Sequence, residues 1–283
     1  MIIWLASYPK SGNTYLRSML SAYLFSENGK FNFDLLKNIN QFPNYYLFRK
    51  LGVDVTDELN VIKNYINIQE KINKLDVKKL RILKTHSSLH SINGYSFTNL
   101  KNSLGVIYIV RDPRKVIISY ANHSQKSFDE IFKIISQKSI FGGKNDLLNI
   151  TRIHGGSWSS NYQSWKEFKK FNRYLLIKYE DLIKNPKKIF IDVLNFIELI
   201  SKSKIPINDL KLNNTIDSTS FNKMQKLESN EEFTESLPFA KNNKRVKFFK
   251  YGPNNDGKKL LPKNLRLKIE ELFKEEMEEL GYL

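Results

Sequence analysis

Cysteine is absent from the 283-residue chain, which removes thiol nucleophiles, disulfides and Cys-ligated zinc or iron–sulfur centres together. Arginine is scarce: nine of the 46 basic residues are Arg and 37 are Lys. Readers of nucleic-acid sequence lean on the Arg fork for bidentate contacts, so the formal charge of +17 is read first as a solvated Lys-rich surface. An anionic ligand or polymer comes second, and no nucleic-acid partner is expected. No apolar run approaches the ~18–20 residues of a membrane span. The apolar opening Met1–Ser7 is too short for a signal-peptide core and is cut off by Lys10, so a cytoplasmic location is expected. What the chain has is 41% hydrophobic and 13% aromatic residues, enough to build a sizeable core.

Short apolar runs rich in Ile, Val, Leu and Tyr occur at Ile2–Ser7, Arg81–Thr85, Gly105–Val110 and Tyr174–Lys178. They lack clean alternation, the pattern of strands covered on both faces of a parallel sheet. Helical spacing falls between them: Asn13–Phe25, a helix opened by Pro113, a third opened by Pro186, and a terminal amphipathic helix over Asn264–Gly281. The alternation predicts an α/β fold with a mostly parallel central sheet flanked by helices. With no repeat or interdomain linker, residues 1–283 are expected to form a single domain. Three stretches break the pattern, Phe31–Lys79, Gln125–Trp165 and Asn230–Lys259, and long irregular segments of this kind are commonly binding loops.

Ser7-Tyr8-Pro9-Lys10-Ser11-Gly12-Asn13-Thr14-Tyr15 lies between an expected strand and an expected helix. That placement aims backbone N–H groups and the positive helix end at an anion. Gly12 permits close approach, Lys10 adds a cation, and Ser11, Asn13 and Thr14 add donors. It is P-loop-like without being a Walker A loop, because Lys10 precedes Gly12. Lys84-Thr85-His86 closes the second strand, at the same carboxyl edge of the sheet. A His among cations there is held neutral and suits a general base. His90, His123 and His154 are read as ordinary hydrogen-bonded histidines, and no residue set at metal-ligand spacing appears. Arg111-Asp112-Pro113-Arg114, followed by Ser119, is again strand into helix. Arg111 is a fork for phosphate, Asp112 a helix cap, and Arg114 is expected to face outward.

In order and spacing, Tyr8–Thr14, Lys84-Thr85-His86 and Arg111 with Ser119 together resemble the cytosolic-type sulfotransferase family. The match continues through Gly156-Ser157-Trp158, Trp165, Tyr179-Glu180-Asp181 and Thr219-Ser220-Phe221 with Met224. The resemblance implies a donor, 3′-phosphoadenosine 5′-phosphosulfate, with 3′-phosphoadenosine 5′-phosphate as product and no metal. It implies that Lys10, Ser11, Gly12, Asn13, Thr14 and Tyr15 cradle the phosphosulfate. Arg111 and Ser119 would hold the 3′-phosphate, and Tyr179, Thr219 and Phe221 the adenine. His86 would be the base, with Lys10 and Lys84 as its electrostatic partners. The family's carboxyl-terminal Arg-Lys-Gly-x-x-Gly-Asp-Trp-like segment is altered to Lys250-Tyr251-Gly252-Pro253-Asn254-Asn255-Asp256-Gly257, with Lys250 in the place of the Arg and Gly252 kept. Arg245 or Lys247 are candidates to compensate.

Two other classes compete with this reading. A nucleotide-dependent kinase requires a complete Walker A loop and an acidic magnesium ligand, for which Asp112 and Asp181 are weak candidates. A non-enzymatic polyanion-binding protein leaves the order of Lys10, His86, Arg111 and Ser119 unexplained. The acceptor, a small molecule or a glycan, is expected between Phe31–Phe48, Phe141–Lys144 and Phe233–Lys247. The sequence leaves the oligomeric state open.

Overall fold

The computed structural model describes residues 1–75, 80–142, 152–237 and 245–283, and of Asn254 and Lys258 the backbone alone. In chain order the strands are β1 Ile2–Ser7, β2 Arg81–Thr85, β3 Ser103–Val110, β4 Ser139–Phe141, β5 Ile153–Gly156 and β6 Tyr174–Lys178. The central sheet has the order β2-β1-β3-β6, every neighbouring pair parallel, so the expected α/β class is the observed one. β1, β2 and β6 have the bounds expected from their apolar runs, and β3 begins two residues earlier, at Ser103. Along β1, Ile2, Trp4 and Ala6 pack on one face while Ile3 and Leu5 pack on the other, and β3 divides in the same way. Burial on both faces explains why these strands read as continuous apolar runs.

The helices Asn13–Phe25, Pro113–Ser124 and Pro186–Ser201 begin where their start signals place them. The carboxyl-terminal segment differs from expectation. It forms two helices, Lys263–Leu272 and Lys274–Glu279, because the break at Phe273 lets that ring pack on Trp158 at 5.1 Å between centroids. A second departure is the antiparallel pair β4–β5 within the stretch Gln125–Trp165, a long-range pairing that local spacing does not signal. The edge of β2 is covered by residues 40–42, with Phe42 N–H donating to the Lys84 carbonyl and Lys84 N–H to the Asn40 carbonyl. No helix among the described residues is long and apolar enough to cross a membrane.

All four parallel strands end on the same edge, and each runs directly into a residue singled out from sequence. β1 leads to Lys10, β2 to His86, β3 to Arg111 and β6 to Tyr179. The carboxyl edge of an open parallel sheet is where ligands bind.

Candidate active site

After β1 the chain turns tightly: Lys10 has φ 65° and Gly12 φ 100°. Gly12 is the N-cap of the helix Asn13–Phe25, and no side chain caps that helix. Its first N–H groups are thereby left for an anion. A Cβ on Gly12 would stand 2.3 Å from the Tyr179 ring, so glycine here is required by both the backbone angle and the close approach.

These strand ends surround one cavity of about 740 Å³. Lys10, Gly12, Asn13, Thr14, Tyr15, Lys84, His86, Arg111, Ser119, Tyr179, Thr219, Phe221, Lys250 and Gly252 all line it. The structure therefore brings together every site residue expected from sequence except Ser11, which is fully buried beneath the loop with its hydroxyl unpartnered. Asn13 differs from expectation in its side chain. Its amide donates to the Leu5 carbonyl and the Ser7 hydroxyl, so it ties the loop to the end of β1. Thr219 gives its hydroxyl proton to the Thr215 carbonyl and keeps only acceptor capacity for a ligand.

Arg111 sits over the Tyr179 ring, its guanidinium carbon 4.2 Å from the centroid. It donates to the carbonyls of Lys10 and Gly252, while its Nε is buried and unpartnered. Gly252, at φ 48°, approaches Phe221 so closely that a Cβ would stand 2.1 Å from the ring. The altered carboxyl-terminal segment thus still reaches the end of the cavity formed by Arg111 and Phe221. Arg245 does not compensate for the missing Arg there: it is engaged by Glu232 and the Ser236 carbonyl. Lys247 lines a separate surface depression.

His86 has a defined tautomer. Its Nδ1 lies 2.9 Å from the Ser7 carbonyl, which can only accept, so Nδ1 carries the proton and Nε2 holds a free lone pair. Burial, reinforced by the Lys84 charge, lowers its pKa to about 3 and keeps the ring neutral. Asn161 fixes the backbone here by donating to the His86 and Gly155 carbonyls, and it accepts from the Tyr108 hydroxyl. The indoles of Trp158 and Trp165 donate to the carbonyls of Arg111 and Ser87, which explains why two Trp stand in the helix Trp158–Trp165 beneath the strand ends.

Three readings are corrected. Arg114 faces inward, buried between Asp112, Glu270 and the Tyr282 carbonyl, because Asp112 both caps its helix and pairs with it. His123 lines the cavity against Phe248. Burial, with the Lys10 charge, holds its pKa far down, and its Nδ1 has no partner. Phe42 and Phe48 belong to the core with Trp4, Tyr65 and Phe97, and the first expected acceptor wall presents Gln41, Pro43 and Asn44 instead. The other walls supply Phe141, Gly142, Thr234, Glu235 and Leu237, and Ile153 lines the cavity from outside them, while Gly143, Lys144 and residues 238–244 of those expected walls lie outside the described residues. Sequence reasoning missed Arg17 and Glu235. Glu235 accepts hydrogen bonds from Thr14, Arg17 and Lys84. Among the described residues no cluster of three or more His, Asp or Glu could hold a metal ion.

Residues 2–281 match the sulfotransferase domain. The chain belongs to the sulfotransferase family. It is similar to mouse sulfotransferase 1E1, 22% identical over 97% of this chain and 83% of that protein. Mouse sulfotransferase 1 family member D1 is 25% identical over 69% of this chain, a match spanning 58% of that relative's length. Among solved structures it is similar to mouse sulfotransferase SULT7A1 complexed with PAP, at a TM-score of 0.61, 20% identity, and 98% and 84% of the two chains. Retinol dehydratase, solved with androsterone and inactive cofactor PAP, also gives a TM-score of 0.61, at 13% identity over 98% of this chain and 80% of that one. For this sulfotransferase-family chain, those likenesses describe the fold.

Proposed function

We propose that the protein transfers a sulfonyl group from 3′-phosphoadenosine 5′-phosphosulfate to a hydroxyl or amine of a small-molecule or glycan acceptor, acting as one cytoplasmic domain. The observation that carries this reading is the set of unpartnered donors at the cavity's edge. The Lys10 ammonium and the Arg111 Nε, both of residues lining the cavity, are buried without a hydrogen-bond partner. Unpaired cationic donors gathered on a cavity wall are costly and call for an anionic partner, and together with the uncapped helix they fit an anion bearing separated phosphates.

His86 Nε2 takes the proton of the acceptor as its oxygen or nitrogen forms a bond to sulfur, while the sulfur–oxygen bond to the phosphate breaks on the opposite side. Lys10 neutralises charge developing on the departing phosphate oxygen. Lys84 holds a sulfonyl oxygen. Arg111 and Ser119 take the 3′-phosphate, and Tyr179, Thr219 and Phe221 the adenine, with Lys250 and Gly252 closing that end. The protein's contribution is orientation and fixed charge. The acceptor enters from the side of Gln41, Tyr120, His123 and Phe141, where aromatic faces alternate with neutral polar groups. Incubation with labelled donor and a panel of phenols, alcohols and oligosaccharides tests the reading. Donor-dependent sulfonation lost in His86→Ala is expected, and turnover that is indifferent to His86 would contradict it.

A further inference from the structure

Among the cations beside the phosphosulfate loop stands one carboxylate that also lines the cavity. Glu235 Oε1 accepts from Arg17 at 2.6 Å and from Lys84 Nζ at 2.7 Å, and Oε2 accepts from the Thr14 hydroxyl at 2.8 Å. Arg17 is itself immobilised. Its Nε donates to the Ile39 carbonyl at 2.7 Å and its NH2 to the Leu36 carbonyl at 2.8 Å, and its side chain is 9% exposed. Arg17 does not line the cavity. It is therefore a brace behind the site rather than a ligand-seeking cation, and what it braces is Glu235.

Lys84 has no other side-chain hydrogen bond or ion pair among the described residues. Its side chain is 6% exposed and stands near Lys10 and Arg17. An ammonium in such a place, with no counter-charge, sheds its proton. Burial does pull the pKa of Lys84 down, and Glu235 opposes that pull. Against its own burial, Glu235 is held well below the usual carboxylate range by Lys84 and Arg17, so the carboxylate is a fixed negative charge. The other titratable groups facing the pair are Lys10, His86 and His123.

We propose that Glu235 is a positioning residue for sulfonyl transfer: braced by Arg17, it holds the Lys84 ammonium and the Thr14 hydroxyl in place beside the phosphosulfate loop. This rests on the assignment of Lys84 to the sulfonyl oxygen, and it places a determinant of that lysine some 150 residues downstream.

The test is a double-mutant cycle of Glu235→Gln and Lys84→Met, reading kcat, KM for the donor, affinity for 3′-phosphoadenosine 5′-phosphate and the pH profile of kcat. Glu235→Gln is expected to lower kcat roughly 10- to 100-fold, the scale of a misplaced catalytic group, with product affinity changed less than about threefold. The high-pH limb of kcat moves to lower pH, because Lys84 without its carboxylate loses its proton earlier. Glu235→Asp restores the limb. In the Lys84→Met background Glu235→Gln has little further effect. Additive losses with an unmoved limb would make Glu235 a structural brace and overturn the proposal. So would tighter donor binding at undiminished kcat, the result if the carboxylate merely occupies the donor's place. Lys84→Met with full kcat would instead overturn the assignment of Lys84. Should Glu235→Gln not fold, Glu235→Ala with and without Lys84→Met carries the same cycle, with Glu235→Asp kept as the rescue.

Discussion

The Lys10 ammonium lies 3.4 Å from the centre of the Phe248 ring and has no hydrogen-bond partner. The ring face attracts the cation without replacing the water it has lost. Burial, with the Lys84 and Arg111 charges and against Glu235, lowers its pKa to about 7. An incoming bisphosphate favours the charged form and raises that value. Between pH 7 and 9 the binding of 3′-phosphoadenosine 5′-phosphate therefore takes up a proton, and affinity weakens with rising pH by at most roughly tenfold per unit. Calorimetry in buffers of different ionisation enthalpy checks this. Lys10→Met is expected to bind weakly and without proton uptake, and unchanged uptake in that variant would place the proton elsewhere.

With His86 as the proposed base, its removal is expected to separate binding from chemistry. Its ring is neutral above a pKa of about 3, so no titration of His86 is expected in kcat/KM between pH 5 and 8. Loss of a general base costs about 10²–10⁴-fold. His86→Ala is expected to lose at least a hundredfold in kcat while product affinity stays within about threefold. Single-turnover rates beside equilibrium binding decide it.

Gly12→Ala combines a positive φ with a Cβ 2.3 Å from Tyr179. The strain costs on the order of 1–3 kcal/mol, and the displaced ring carries Arg111 with it. Thermal unfolding is expected to fall by a few degrees, and nucleotide affinity by at least tenfold. Wild-type affinity in a folded Gly12→Ala protein would show that the Tyr179–Arg111 stack does not form the nucleotide site.

Arg114 gives the opposite pattern. It is buried with Asp112 and Glu270, side chains 8%, 8% and 22% exposed. Arg114→Met leaves Asp112 as an uncompensated buried charge, at a cost of about 3 kcal/mol or more. Chemical denaturation measures the loss. In the fraction that remains folded, the 3′-phosphate preference is expected to be intact.

Local signals carried much of this architecture. The strand bounds at Ile2–Ser7, Arg81–Thr85 and Tyr174–Lys178 were legible because strands buried on both faces must be apolar throughout. The helix starts at Pro113 and Pro186 were legible because proline is favoured at the first turn. The candidate site was legible where one strand end carries its own residues, as with Lys10, His86 and Arg111. Glu235 was not, since its partners Thr14, Arg17 and Lys84 lie 221, 218 and 151 residues away, and no spacing rule spans such distances. His123 reads as an ordinary histidine in the sequence because nothing local tells that the end of its helix opens on the cavity. Arg114 looked exposed because its partner Glu270 belongs to a helix packed against it from the far end of the chain.

Discrimination for the 3′-phosphate bears most directly on the central claim. Binding of 3′-phosphoadenosine 5′-phosphate, AMP and ATP is measured for the wild-type protein and for Arg111→Ala under one buffer and salt condition. The account predicts that the wild type prefers 3′-phosphoadenosine 5′-phosphate by at least roughly a hundredfold, and that Arg111→Ala loses most of that preference while its affinity for AMP changes little, since the charge-assisted fork acts on the 3′-phosphate. Equal affinity of the wild type for all three nucleotides would contradict it.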